Sequence, residues 1–153
     1  MGGFIIKVEV KPCTDVPSKG DGVFTLEPVK AGTIMWQPDL VTKIPQSEVA
    51  SYLESMGAAE AHVALRQAFV TREDEGSLCV NPNDLGRFMN HEGGGRANCL
   101  AGINGGAATR DIEAGEELTC DYSGLACPSW YQELCGQYGV LSTGEVVRRG
   151  LES

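Results

Sequence analysis

Two short stretches carry the side chains in this sequence whose types suit chemistry. The first ends in the amide of Asn90 and the imidazole of His91, and the second ends in the thiol of Cys120 and the phenol of Tyr122. Cys120 has neither a basic neighbour nor a histidine beside it, so we expect a core residue and not an activated nucleophile. Taken alone, His91 is more typical of a hydrogen-bonded structural histidine, and Tyr122 of a strand aromatic with its hydroxyl at the surface.

The acidic pair Glu116 and Glu117 lies just before Cys120 and invites comparison with a paired-carboxylate active site. Adjacent residues of a strand point to opposite sides of the sheet, so the two carboxylates cannot converge on one substrate. We therefore predict that both are turn and solvent residues.

Short strands and glycine-rich turns must position these side chains. Twenty glycines predict many turns and places where the backbone approaches a ligand closely. Apolar runs bounded by turn residues predict strands at Phe4–Val10 and Val23–Leu26. Similar phrases at Val29–Trp36 and Ile112–Leu118 predict two hairpins with the same turn chemistry.

Helical spacing is clearest between Ser47 and Met56. Ser47 is a favourable N-cap, and Gly57 favours termination of the helix. Apolar residues recur at the spacing of one helical face, namely Val49, Tyr52, Leu53 and Met56.

The segment Ala58–Val70 fits both a helix and an alternating strand, and we predict a hairpin with its turn at Glu73–Gly76. From Ala126 onward, the spacing of the aromatic residues predicts a short helix that starts near Pro128.

Composition indicates one globular domain. The chain has 153 residues, with 42% hydrophobic and 22% charged, which is typical of soluble proteins with a substantial core. The six cysteines form no C-x-x-C pair, so we expect reduced thiols, most of them buried, and no metal site. Because no apolar run approaches about 18 residues and the N-terminus lacks a signal-peptide pattern, we predict an intracellular protein with no membrane partner.

The net charge of −9 bears on the choice of partner. Direct nucleic-acid binding is disfavoured, because it depends on lysine and arginine side chains that neutralise phosphates. A basic peptide or protein is electrostatically the more natural partner. Solubility alone would also account for the charge.

Four segments, taken in order, resemble a known family. They are Lys19–Phe24, Gly86–His91, Asn98–Cys99 and Ala108–Tyr122. Their residues and spacing are similar to those of the SET domain, the family of S-adenosylmethionine-dependent protein lysine methyltransferases. The resemblance identifies residues 1–153 as a single SET domain, with a motif core over about 20–124 and a post-SET-like segment over 125–153.

The resemblance implies a fold that periodicity could not predict. That fold is mostly β with short helices (α+β), the SET-domain β-clip arrangement of several small sheets. In it, the C-terminal segment that ends in Tyr122 threads past Asn90 and His91 in a knot-like crossing, which is rare among folds.

The resemblance also implies roles for individual residues toward S-adenosylmethionine. Tyr122 is the implied catalytic tyrosine, with its hydroxyl at the point of methyl transfer. The loop of Gly20, Asp21 and Gly22 is implied to contact the methionine portion through its backbone. Further implied cofactor contacts are Arg87, Phe88, Asn90, His91 and Tyr122.

Departures from the family pattern lead to further expectations. Cys120 replaces a phenylalanine or tyrosine that governs the number of methyl groups added, so we expect room for di- or trimethylation. The strand after Gly32 reads Trp36-Gln37-Pro38 where the family has tyrosine, glycine and glutamate, which leaves one wall of the lysine channel unassigned. The zinc-binding segments that often flank the domain are missing, and we expect Trp130 and Tyr131 to close over the adenine and the peptide instead.

The resemblance therefore predicts an enzyme that methylates lysine on a basic protein, with a histone tail as the expected substrate. An alternative of a different class is a catalytically weak binding module that keeps the fold and holds a peptide or partner protein. A third is a structural β domain with accidental motif matches.

Overall fold

The part of the chain described by the computed structural model divides into two compact units. The described residues are 3–15, 20–102 and 105–149, so Lys19 lies outside them. Unit 1 combines residues 1–40, 83–121 and 149–153, and unit 2 combines residues 41–82 and 122–148. The assignment of residues 1–153 to a single SET domain stays a prediction.

Short strands dominate the described residues. In chain order the elements are β1 (Val8–Pro12), β2 (Asp21–Thr25), β3 (Ile34–Trp36), β4 (Thr42–Pro45), α1 (Gln46–Glu54), α2 (Ala58–Arg66), β5 (Phe69–Thr71), β6 (Asp74–Val80), β7 (Asn90–His91), β8 (Cys99–Gly102), β9 (Gly105–Ala108), β10 (Glu117–Cys120), α3 (Ser129–Tyr138) and α4 (Thr143–Arg148). The predicted class, mostly β with short helices, is confirmed.

Unit 1 is organised around β10. Its sheet has the order β1-β2-β10-β8-β9-β3, and β7 also pairs with β10. β10 is antiparallel to β2 and parallel to both β7 and β8. The strand that leads to Tyr122 therefore has three partners distant in sequence. The predicted threading of this segment stays a prediction.

The two similar phrases of the sequence pair with each other instead of forming separate hairpins. Val29 and Ile112 exchange two backbone hydrogen bonds, each of 2.8 Å. The amide of Ala31 donates to a carboxylate oxygen of Asp111 at 2.9 Å. The hairpin prediction was wrong here, because each phrase leads into a different strand and the two turns satisfy one another's backbone groups.

The core of unit 1 comes from inward-facing strand residues. Val23 and Leu118 are fully buried and lie opposite each other in the β2–β10 ladder. The buried cluster comprises Val23, Val29, Met35, Met89, Cys99, Ala108, Ile112 and Leu118. β1 starts only at Val8, and the predicted strand residue Phe4 forms an isolated bridge with Trp36.

Unit 2 packs helices on the small sheet β4-β6-β5. In α1, Val49 and Leu53 are buried and Tyr52 packs against the same core, as the spacing predicts. Met56 packs against this core too, although the helix ends at Glu54. Pro45 and not Ser47 occupies the N-cap of α1, because β4 runs directly into the helix.

The segment after α1 forms a second helix where we predicted the start of a hairpin. α2 covers Ala58–Arg66 and buries Ala61 and Leu65, four residues apart on one face. The hairpin is limited to β5 and β6, which pair antiparallel. Alanine-rich composition favours helix at this position, whereas the alternation that suggested a strand involves the exposed Val63.

The C-terminal part of unit 2 is helical, as predicted. Pro128 is the N-cap of α3, and Gly139 ends the helix in the left-handed region with φ of 68°. Tyr131 and Cys135 from this helix are buried in the core of unit 2. Among the described residues, no helix has the length and apolar character needed to cross a membrane.

Candidate functional site

The side-chain amide of Asn90 connects several segments of unit 1. Its Nδ2 donates to the main-chain oxygen of Asp21 at 2.9 Å and to Oε2 of Glu117 at 2.8 Å. The sulfur of Cys13 lies 3.6 Å from the same nitrogen. The structure therefore places Asn90 against the loop of Gly20, Asp21 and Gly22. Their roles toward a cofactor stay predictions.

Glu117 is the residue that sequence reasoning missed. We predicted a solvent residue, but its side chain is half-buried and receives hydrogen bonds from Asn90 and from the Cys13 thiol at 3.5 Å. Glu116, its neighbour, pairs with Arg110 at 3.1 Å on the exposed side. The argument that adjacent strand residues face opposite sides holds, and one of the two faces belongs to the site.

Gly22 leaves room that a side chain would occupy. A Cβ at this position would lie 2.5 Å from Oε2 of Glu117 and 2.8 Å from Sγ of Cys13. Gly20 has φ of 71°, in the left-handed region that favours glycine, and its carbonyl accepts from the Cys13 amide at 2.8 Å. Of the residues beside the Asn90 amide, Asp21 is exposed and Gly22 is buried.

Arg87 and Phe88 belong to a 3-10 helix that leads into β7. The Arg87 guanidinium lies over the Phe88 ring at 4.4 Å, and its Nη1 donates to the carbonyl of Asp84 at 3.0 Å. This helix is capped by the Asp84 carboxylate, which accepts from the Gly86 amide at 2.7 Å. The cap fixes the chain immediately before Asn90.

The imidazole of His91 is almost fully buried. Its side chain is 4% exposed, and Nδ1 lies 3.7 Å from a carboxylate oxygen of Asp121. In the ladder, His91 lies opposite Cys120, and Asn90 lies opposite Thr119. The role that the resemblance implies for the His91 backbone stays a prediction.

Cys120 lies at the end of β10, opposite both His91 and Cys99. Burial raises the pKa of the Cys120 thiol to about 12, with a smaller contribution from Cys99. Burial likewise raises the pKa of Cys99 to about 11. Both thiols are therefore protonated at neutral pH and poor nucleophiles. Cys99 is buried, whereas Cys120 is half-buried and packs against the core of unit 1.

Tyr122 and Trp130 belong to unit 2. Tyr122 is half-buried and begins a 3-10 helix that ends at Gly124. The indole of Trp130 donates to the carbonyl of Glu75 at 2.8 Å. Tyr131 differs from our expectation of a closing lid, because it is 1% exposed in the core and its hydroxyl accepts from the Thr143 amide. The roles of Tyr122 and Trp130 stay predictions.

One group of side chains in unit 1 has ligand types that could hold a metal. The ligand atoms of Cys13, Asp15 and Glu117 lie within 4.8 Å of one another. The hydrogen bond from the Cys13 thiol to Glu117 accounts for the closeness of those two. Our expectation of no metal site stays a prediction.

Comparisons with known proteins bear on the family and the fold of the chain. The SET domain family matches residues 20–123. No curated protein matches the chain in sequence. One similar structure is Polycomb Repressive Complex 2 of Chaetomium thermophilum in an autoinhibited conformation bound to S-adenosylmethionine, with TM-score 0.59 and 23% identity over 86% of this chain and 17% of that chain.

Two further structures of the same complex are similar. The apo complex in an autoinhibited state has TM-score 0.59 and 21% identity, over 86% of this chain and 17% of that chain. A humanized mutant bound to an inhibitor has TM-score 0.57 and 20% identity, over 84% and 16% of the two chains. This chain thus spans less than a fifth of those chains, and the likeness concerns the fold. With the family match, the strand arrangement around β10 and the Asn90 cluster, the chain belongs to the SET-domain family.

Proposed function

We propose that this protein is an S-adenosylmethionine-dependent protein lysine methyltransferase. The observation that carries the proposal is the hydrogen bond from Asn90 to the main chain of Asp21, in a unit where Asn90 and His91 run beside β10. Two residues after β10 ends at Cys120, the chain reaches Tyr122. Membership of the SET-domain family and the fold shared with a complex bound to S-adenosylmethionine support the proposal.

The residues of unit 1 fit the methionine portion of the cofactor. Both hydrogens of the Asn90 amide are directed at the protein, at Asp21 and Glu117. Its carbonyl oxygen accepts no hydrogen bond from the described residues, so it is suited to receive the cofactor's ammonium group. Gly20 and Gly22 have no side chains of their own that could cover their backbone groups. We assign Arg87, Phe88, His91, Tyr122 and Trp130 to the remainder of the cofactor site.

The chemistry requires alignment and a neutral amine. When bound, the cofactor supplies a methyl group on a sulfonium, which needs no metal to leave. A free lysine has a pKa of about 10.4, so the protein must favour its uncharged form. A narrow, desolvated channel does this by penalising the charged ammonium. We assign the hydroxyl of Tyr122 to holding the amine in line with the methyl group.

We propose a basic protein as substrate, and a histone tail in particular. The net charge of −9 supports a positively charged partner, since complementary charge speeds encounter and helps to set register. The same charge argues against a nucleic-acid substrate.

We propose that the product is di- or trimethyllysine. The support is the small side chain of Cys120 at the end of β10, where the family has a phenylalanine or tyrosine. Mass spectrometry of the product from wild type and Cys120→Phe tests this. Wild type should add at least two methyl groups and Cys120→Phe fewer, whereas a strictly monomethylated wild-type product would reject the proposal.

Transfer of tritiated methyl groups to mixed histones tests the activity. Wild type should label a histone, and Tyr122→Phe should lose most of the rate while still binding S-adenosylhomocysteine in calorimetry. Tyr138→Phe, which removes a hydroxyl from the helical part of unit 2, is the matched control and should keep the wild-type rate. Tight cofactor binding with no labelling of any protein would instead favour the binding-module alternative.

A further inference from the structure

A buried pair formed by Trp36 and Asp84 lies beneath the segment that leads to Asn90. The indole Nε1 of Trp36 is 3.0 Å from Oδ1 and 2.8 Å from Oδ2 of Asp84. Asp84 is fully buried, and Trp36 is 8% exposed. A carboxylate in such a place is costly unless donors satisfy it, so the indole N–H is a necessary partner and not a chance neighbour.

The same carboxylate fixes the backbone that follows it. Oδ1 of Asp84 accepts from the Gly86 amide at 2.7 Å. The main-chain oxygen of Asp84 accepts from Nη1 of Arg87 at 3.0 Å. The amide of Met89 then donates to the carbonyl of Gly86 at 3.0 Å. A continuous series of hydrogen bonds therefore runs from the indole to the residue that precedes Asn90.

The pair has little freedom to shift. A Cβ on Gly86 would lie 2.7 Å from Nε1 of Trp36, and a Cβ on Gly3 would lie 2.8 Å from that nitrogen and from both oxygens of Asp84. Two glycine backbones thus enclose the indole and the carboxylate. One of them, Gly86, belongs to the 3-10 helix that carries Arg87 and Phe88.

We infer that Trp36 and Asp84 are positioning residues for the cofactor: the indole holds the carboxylate that sets the path of Gly86–His91. This inference rests on the proposed function, because it concerns the same site. It also gives a role to the position at which Trp36-Gln37-Pro38 departs from the family. Trp36 does not have to line a channel, since its polar atom is directed inward at Asp84.

The test measures binding of S-adenosylhomocysteine and steady-state kinetics with Trp36→Phe, which keeps an aromatic ring but removes the donor. We expect the Kd to rise about tenfold, equivalent to about 1.4 kcal/mol. The KM for S-adenosylmethionine should rise in parallel, whereas kcat at saturating cofactor should change less than about twofold. Tyr131→Phe removes another buried hydrogen bond, that from the Thr143 amide, and should leave the Kd unchanged.

Recovery of cofactor affinity by a second substitution distinguishes a positioning role from a general loss of stability. In Trp36→Phe the Asp84 carboxylate keeps its charge without the indole, so adding Asp84→Asn should recover part of the lost affinity. If Trp36→Phe does not fold, Asp84→Asn alone carries the same test, with the same expected rise in Kd. A folded variant whose Kd stays within twofold of wild type overturns the inference and leaves the proposed function standing. Failure of the wild type itself to bind S-adenosylhomocysteine overturns both.

Discussion

The two units differ in how they hold their buried residues. In unit 1 the buried polar side chains are tied into the sheet: Asn98 donates to the carbonyl of Glu117 at 2.8 Å and accepts from the Thr119 amide at 2.9 Å. Unit 2 relies on helices packed over a mostly apolar core that includes Leu53, Leu65 and Tyr131.

The two units also differ in their buried polar atoms that lack a hydrogen-bond partner. Among the described residues, the buried side-chain atoms without a hydrogen-bond partner belong to Thr71, Asn81 and Thr143, all in unit 2. Hydrogen bonds are directional, whereas apolar packing tolerates small shifts. The unit that contains Asn90 and the glycine loop is thus the one whose buried polar groups fix backbone positions, as expected for a preorganised binding site.

The largest effects should come from leucine truncation in each core. Leu53→Ala in unit 2 and Leu118→Ala in unit 1 remove equally buried side chains, so each should lower the free energy of unfolding by about 2–5 kcal/mol. Only Leu118→Ala should also weaken cofactor binding, because it lies between Glu117 and Thr119. Chemical denaturation and calorimetry on the folded proteins measure both quantities. Equal loss of affinity in both variants would remove the distinction between the units.

Gly22→Ala should cause the next largest effect on cofactor binding. The new methyl group would meet Glu117 and Cys13 and push both away from Asn90. We expect the Kd for S-adenosylhomocysteine to rise about tenfold, or about 1.4 kcal/mol. Gly57→Ala is the control, since nothing lies within 4 Å of its added Cβ. Wild-type affinity in Gly22→Ala would show that the loop does not contact the cofactor.

Glu117→Gln should have a smaller effect that Glu116→Gln does not share. The change replaces a charged acceptor of the Asn90 amide with a neutral one, so cofactor affinity should fall by about 0.5–1.5 kcal/mol. At Glu116, hydrogen bonds from the Glu113 amide and Arg110 lower the pKa of the exposed carboxyl. Surface pairs of this kind contribute little, and Glu116→Gln should bind cofactor like wild type. If calorimetry gave the same cofactor affinity for the two variants, Glu117 would act as a solvent residue, as the sequence analysis predicted.

A further expected effect is a loss of stability at high pH. Burial raises the pKa of Cys99 to about 11 and that of Cys120 to about 12, from 9.0 for a free thiol. Above pH 9 the unfolded chain releases protons that the folded protein retains, so these thiols stabilise the fold fully below pH 9 and progressively less as pH rises toward 11–12. Denaturation at pH 7 and pH 10 should show this decrease, and it should be smaller in Cys99→Ala. If Cys99→Ala lost as much stability between pH 7 and pH 10 as the wild type, the Cys99 thiol would not contribute to this pH dependence.

Local sequence signals predicted a large part of both units. The spacing of Val49 and Leu53 predicted the buried face of α1, and Pro128 marked the start of α3. The order of the motifs around Asn90, His91 and Tyr122 indicated the SET-domain family, which the family match over residues 20–123 confirms. These signals are readable because each depends on neighbouring residues, or on a recurring combination of residue types.

Only the tertiary structure decided which distant groups meet. It brought Glu117 to Asn90, paired Val29 with Ile112, and placed the indole of Trp36 on the carboxylate of Asp84. No periodicity encodes such contacts, because each depends on the register between strands far apart in the chain. Helical and strand periods determine which side of an element is buried, whereas the pairing of strands decides which polar group it faces.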